Sequence, residues 1–417
     1  MPMPSVPFEA EKISYRWVVL AGVWLLYFSF GMIVAAMAPL VRPIAVALDL
    51  DNGDMGFVLG AWPLVYVAAA IPCGVLLDRF GPRRALLIGV TVIAASGAVR
   101  GLATGHFSLF LAVAIFGLGG PIISVGAPKL VSLWFTARER GLAMGIYVTG
   151  SNLGAVAALS LTNSVIMPLV GQDWRMVMFC YAGFALCAGA VWFVISAHPA
   201  SRAMERRIAA EPRRSQKKQF AELLHLPPVR IVLAMSVGIF FFNHGLNNWL
   251  PEILRTGGMA PAEAGYWASV PMAMGIVAAL LIPKFATETR RLTILLALFL
   301  SAGVATLLLR AEAGPLLATG LVLQGTARGA MMAVAVLVLI ESPGVGSRRA
   351  GLAGGMFFSA AEIGGVLGPL TIGYVSEATG SFSMPLALLT AVTVMLVLLQ
   401  FRLRMASSQT QPTDGND

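Results

Sequence analysis

The chain has 417 residues, 12% of them charged and 58% hydrophobic, with a mean hydropathy of +0.81. A soluble domain carries about a quarter charged residues, so composition excludes a water-soluble globular protein; apolar runs of roughly 20 residues fit helices crossing a ~30 Å hydrocarbon core, not the ~10-residue alternating segments of a membrane barrel. The net charge of +9 does not indicate nucleic acid, because the basic residues lie scattered in short loops instead of on one face with stacking aromatics.

In chain order, the first apolar run, Trp17 to Leu40, is too long for a signal-peptide core and lacks a small-residue cleavage pattern, so it is expected to stay as the first span. Further spans are predicted near 55–77, 84–104, 107–134, 141–168 and 174–197, then near 229–254, 261–283, 291–310, 314–340, 350–377 and 381–403. The expected architecture is an all-α polytopic membrane protein of twelve transmembrane helices: a six-helix bundle over 1–197, a basic linker over 198–228, and a second bundle over 229–417 ending in a short tail. Cys73, Cys180 and Cys187 fall inside predicted spans and read as packing residues.

Lysines and arginines set the orientation, because short loops rich in them stay cytoplasmic. Of the 29, 23 fall on one side, five (Arg42, Arg100, Arg175, Arg255 and Arg310) on the other, and Arg328 lies within a span. Both termini and the linker are therefore expected in the cytoplasm of a cell whose inner membrane holds the chain. The linker, with Arg206, Arg207, Arg213, Arg214, Lys217 and Lys218, suits contact with anionic headgroups; a regulatory partner is the other reading.

A repeat appears at a shift of 210 residues. The fifth span reads GLAMGIYVTGSNLG from Gly141 and the eleventh GLAGGMFFSAAEIG from Gly351, so that Gly154 matches Gly364, Tyr147 matches Phe357 and Asn152 matches Glu362. Parallel repeats of this kind suit a carrier that rocks two bundles about a central site.

Between the second and third spans, Gly74-Val-Leu-Leu-Asp78-Arg79-Phe-Gly81-Pro-Arg83-Arg84 resembles the cytoplasmic loop signature of the major facilitator superfamily. Gly74 would allow close helix contact, Asp78 would sit at a helix N-terminus or ion-pair, and the arginines would hold the loop in the cytoplasm. The resemblance implies a gate role for Gly74, Asp78, Arg79, Gly81 and Arg83. Pro82 replaces the usual basic residue, and the matching loop of the second half, Pro283 to Arg291, lacks the pattern. Trp249-Leu-Pro251-Glu-Ile-Leu254, Ala260-Pro-Ala-Glu-Ala-Gly265 and Glu362-Ile-Gly-Gly365-Val-Leu-Gly368-Pro369 are similar to the cyanate-permease branch. The fourth-span arginine and fifth-span Gly-Pro of proton antiporters in the superfamily are missing: Val113 and Gly150-Ser-Asn-Leu-Gly154 stand there, which argues against drug export.

An ionisable residue at a span centre costs roughly 2.5–3.5 kcal/mol on insertion scales, so each calls for a reason. Arg328 and Glu362 stand near mid-span at similar depth on consecutive predicted helices. Arg328 could receive an anionic group bidentately while Glu362 takes a proton or tunes the arginine; the alternative is a permanent structural ion pair. In the seventh span, Asn243, His244, Asn247 and Asn248 form i,i+4 pairs on a polar face, beside Gly245 and Pro251 that would let the helix break or bend. The face could meet solute or bond to partner helices, and His244 could relay protons or be a hydrogen-bonded fixture. Asn152 and Tyr147 on the fifth span, with Trp62 and Tyr66 on the second, complete the expected solute-binding set. The aromatic pair could equally be core.

No Gly-Lys pair exists, hence no phosphate-binding loop. His106, His198, His225 and His244 lack metal-ligand spacing, and no nucleophile-base set is readable, so neither an enzyme nor a cofactor is expected. The leading expectation is a monomeric secondary transporter of a small anionic solute in the lipid bilayer, coupled to protons. Its rivals are a carrier or exporter of a neutral or cationic molecule, and a transporter-like sensor or scaffold.

Overall fold

The computed structural model describes residues 6–135, 137–202, 217–342 and 344–408, and its regular structure among these is helical throughout. The long apolar runs become α1 (Val6–Ala35), α2 (Val41–Leu48), α3 (Asn52–Leu59), α4 (Ala61–Gly101), α5 (His106–Trp134), α6 (Ala137–Leu161) and α7 (Trp174–Ser196). After α8 (Lys217–His225) come α9 (Pro227–Thr256), α10 (Pro261–Leu281), α11 (Arg291–Leu308), α12 (Pro315–Ile340), α13 (Gly346–Thr379) and α14 (Ser383–Ser408). Twelve segments among the described residues are long and apolar enough to cross a membrane, as lipid demands of any chain that satisfies its backbone internally. Local sequence explains the ends: Pro227, Pro261 and Pro315 stand in the first turns of α9, α10 and α12, where a missing N–H costs nothing. Gly380, at φ 64°, closes α13 in the left-handed conformation that favours glycine.

The chain forms two compact units, Met1–Leu50 with Ala61–Arg213, and Asp51–Gly60 with Arg214–Asp417. The short α3, which the sequence reading assigns to the first bundle, belongs by its contacts to the second unit. There Gly56 is seated on the Pro369 carbonyl, and the Asn52 N–H donates to Glu377 at 3.1 Å. Of the linker, the arginines Arg206, Arg207, Arg213 and Arg214 lie outside the described residues.

In the first unit α1 packs along α6 and α7, and α4 along α5 and α7. In the second, α9 packs along α13, α10 along α12, and α11 along α12 and α14. The repeat read from sequence has a packing counterpart. Gly154 of α6 abuts the Phe28 carbonyl of α1, and its repeat partner Gly364 of α13 abuts the Val237 carbonyl of α9. At each position a side chain would strike backbone, so glycine sets the closest approach of the two helices within each unit.

α4 carries both the second and third spans, interrupted only at Gly81, whose φ of 77° and ψ of 155° are non-helical and open to glycine. The expected gate loop is thus a single-residue kink. Arg79 lies over the Phe80 ring at 5.7 Å, and the Arg83 carbonyl accepts the Trp192 indole N–H at 3.1 Å. The Asp78 side chain lies outside the described residues. A side chain at Gly74 would meet nothing within 4 Å among the described residues.

Two features of the first unit correct the sequence reading. α1 stops at Ala35 inside an unbroken apolar run, giving way to a 3-10 turn, Ala38–Leu40, before α2. The orphaned carbonyls find donors: Asn163 Nδ2 reaches the Pro39 carbonyl at 3.0 Å, and Arg100 Nη1 the Ile33 carbonyl at 3.0 Å. Arg100, assigned above to an outer loop, is therefore an interior residue, 2% exposed, with its guanidinium 5.7 Å from the Phe116 ring centroid. Arg100→Met is expected to lower stability by about 2 kcal/mol, the worth of a charged hydrogen bond to a buried carbonyl. A thermal melt in detergent checks this, and Arg100→Lys should recover part of the loss.

Candidate functional site

The second unit gathers most of the polar chemistry predicted from sequence. Arg328 projects from α12 at a point where that helix lies close on α10, with Gly325 against Pro271 and Gly329 against Gly275. The close approach brings Met272 to the guanidinium, and Arg328 Nη1 donates to its sulfur. A thioether is a weak acceptor. Among the described residues no ion pair joins Arg328 to Glu362 or to any other carboxylate. The permanent-pair reading of these two residues is not the arrangement adopted.

Glu362 on α13 is 5% exposed, and its Oε2 has no hydrogen-bond partner among the described residues. Gly365, one turn on, makes room for what surrounds it. A side-chain carbon there would lie 2.6 Å from Glu362 Oε2 and 2.9 Å from His244 Nδ1, so the carboxylate and the imidazole converge on the space that glycine leaves open. The His244 ring also stacks on Phe240 at 5.2 Å. His244 and Glu362 thus meet over Gly365, and Arg328 stands on α12, which packs against both of their helices, α9 and α13.

The rest of the α9 face is divided. Asn243 is 8% exposed, with Oδ1 unpartnered among the described residues, while Asn247 is half-buried. Asn248 turns back on its own helix, donating to the His244 carbonyl at 2.8 Å, so the predicted His244–Asn248 pair is joined through backbone. α9 runs without a break through Gly245 and Pro251 to Thr256. Trp249 braces this stretch by donating to the Pro369 carbonyl at 2.9 Å.

In the first unit the predicted residues join an aromatic cluster. Tyr147 meets Tyr27 edge-on at 5.0 Å, Tyr27 stacks on Phe30 at 5.5 Å, and Phe30 and Trp62 both lie against Phe116, at 5.2 and 5.5 Å. Trp62 and Tyr66 meet edge-on at 6.1 Å, and the Tyr66 hydroxyl bonds to Ser124 Oγ at 2.7 Å. Asn152, on α6, is half-buried.

Sequence reasoning missed Met272, Gly365 and Gln324. Gln324 is 1% exposed, lies one turn before Arg328 on α12, and leaves Oε1 unpartnered among the described residues. Its spacing of four from Arg328 was the available signal.

Twelve segments long and apolar enough to cross a membrane, in two helical units, define a polytopic membrane protein. A sequence profile of the Major Facilitator Superfamily matches residues 20–309, and the chain belongs to that superfamily. It is 26% identical over 403 residues to an uncharacterized transporter, YycB, of Bacillus subtilis, covering 95% of this chain and 94% of the relative. It is 23% identical to the probable galactarate/D-glucarate transporter GudP of Escherichia coli (91% and 92% covered). It is also 23% identical to the probable sulfoacetate transporter SauU of Cupriavidus necator (90% of each chain). Among solved structures, the nucleoside transporter NupG superposes with a TM-score of 0.73 at 14% identity, covering 94% of this chain and 99% of that one; this is a likeness of fold.

Proposed function

We propose that this chain is a secondary active transporter that moves a small organic anion across the inner membrane by alternating access, with Arg328 receiving the anionic group. The observation that carries the reading is a guanidinium inside a membrane span whose hydrogen-bond acceptor is a methionine sulfur and which pairs with no carboxylate among the described residues. A charge there is costly unless paired, and the planar fork of arginine suits a carboxylate or sulfonate. The relatives named for galactarate, D-glucarate and sulfoacetate support an anionic solute. The branch similar to cyanate permease rests on the stretches around Trp249 and Glu362. The proposal takes the chain as a monomer of two six-helix bundles, with termini and linker in the cytoplasm. Uptake into liposomes holding only this chain tests it. Galactarate, D-glucarate or sulfoacetate should accumulate and compete with one another, whereas uptake confined to cationic or neutral solutes would sink the anion reading.

Glu362 and His244 are the proposed route for protons. A buried carboxyl with one unpartnered oxygen beside an imidazole can carry a proton when the anion is present and release it when the anion leaves. With acid outside, uptake should rise several-fold over uptake at equal pH. Glu362→Gln, which mimics the protonated form, should lose that stimulation yet still exchange solute for solute. Retained stimulation by a pH gradient in Glu362→Gln would move the proton site elsewhere.

A further inference from the structure

We infer that the solute is a hydroxylated acid, not a bare carboxylate or sulfonate, because the second unit holds buried acceptor oxygens that need a donor from outside the protein. The inference rests on the anion reading and adds a substrate class to it. Among the described residues Asn243 Oδ1, Gln324 Oε1 and Glu362 Oε2 are all enclosed and make no hydrogen bond. They stand on α9, α12 and α13, three helices that pack against one another. Gln324 is one turn from Arg328 on α12, Asn243 precedes His244 on α9, and Glu362 shares the space over Gly365 with His244.

Buried polar atoms in native proteins are almost always paired, so these three ask for partners; a fourth such oxygen in the unit, Gln400 Oε1, lies on α14. A carboxylate or sulfonate brings acceptors alone and satisfies Arg328, while leaving the oxygens as they are. Hydroxyl groups bring donors. A hydroxyl also accepts, so it serves an amide whichever way that amide is turned. Glu362 could be satisfied by its own proton, but Asn243 and Gln324 do not titrate, so the need for donors holds at any pH. Of the compounds for which the relatives are named, galactarate and D-glucarate carry hydroxyls along the chain, whereas ionised sulfoacetate carries none.

The test compares four acids on purified full-length protein by thermal shift and by competition for uptake: galactarate, D-glucarate, sulfoacetate and adipate, the diacid of galactarate's chain length without hydroxyls. A site built to bond hydroxyls should prefer galactarate or D-glucarate over adipate by about 100-fold or more, since the analogue leaves enclosed groups unpaired. Gln324→Leu and, independently, Asn243→Leu should each narrow that ratio about tenfold by weakening the hydroxy acid while adipate is unmoved. Arg328→Gln should weaken all four alike. Adipate or sulfoacetate bound as tightly as the hydroxy acids overturns this inference and leaves the anion reading standing. Binding of none of the four overturns both. The comparison on unmodified protein decides the matter even if one leucine variant does not fold.

Discussion

Arg328→Gln should reduce anion binding and uptake about 100-fold while leaving the protein as stable as the parent to within about 1 kcal/mol. The two halves of that expectation separate a binding arginine from a structural one. An arginine locked in a buried ion pair would, on removal, strand its carboxylate and cost about 3–5 kcal/mol. Here no carboxylate among the described residues is paired with Arg328, and the group left behind is the Met272 thioether, which loses little. Removing the charge also removes its cost of residing in the span. Arg328→Lys should fall between, keeping the charge and losing the fork. Uptake rates paired with melting temperatures make the measurement. A variant that melts far below the parent, or one that transports normally, would assign Arg328 to structure.

Gly364→Val should destabilise the second unit by about 3 kcal/mol, the upper end for overpacking, and Gly154→Val should do the same in the first. The obstacle in each case is a backbone carbonyl, of Val237 and of Phe28, which cannot swing aside as the tip of a flexible side chain would. The helices must separate along their length, and α13 carries Glu362 and Gly365 only two residues before and one after Gly364. Transport should therefore fail along with stability. Gly354→Ala is the control on the same helix: its side chain would meet nothing within 4 Å, and alanine there should gain about 1 kcal/mol of helix propensity. Thermal melts of the three variants check the prediction. Equal melting of Gly364→Val and Gly354→Ala would remove the close approach from the account.

The same positions show how far the sequence reaches. Gly154 and Gly364 were matched by the repeat alone, and their equivalent seats on α1 and α9 follow because a duplicated helix pair keeps its contact geometry. Arg328 and Glu362 stood out because charge inside an apolar run is costly anywhere. Arg100 did not. Near the end of a span, it could be a loop arginine or an interior one, and only the course of α1, with its break and orphaned Ile33 carbonyl, decides which. The run from Trp17 to Leu40 signals that break through Pro39, which offers no N–H to the Ala35 carbonyl where α1 ends, but not the distant side chains that pair the carbonyls freed there.

What the sequence determined by itself is whatever depends on the bilayer as solvent: the number of spans, their helical form, the duplication, and the cost that marks Arg328 and Glu362. What only the tertiary structure decided is which side chains meet. That Arg328 rests on Met272 and not on Glu362, that Glu362 shares the space over Gly365 with His244, and that Gln324 and Asn243 keep enclosed oxygens without donors depends on which face each helix turns to its neighbour. Hydropathy does not encode that choice. Close packing through small residues does, and it acts between helices that lie far apart along the chain.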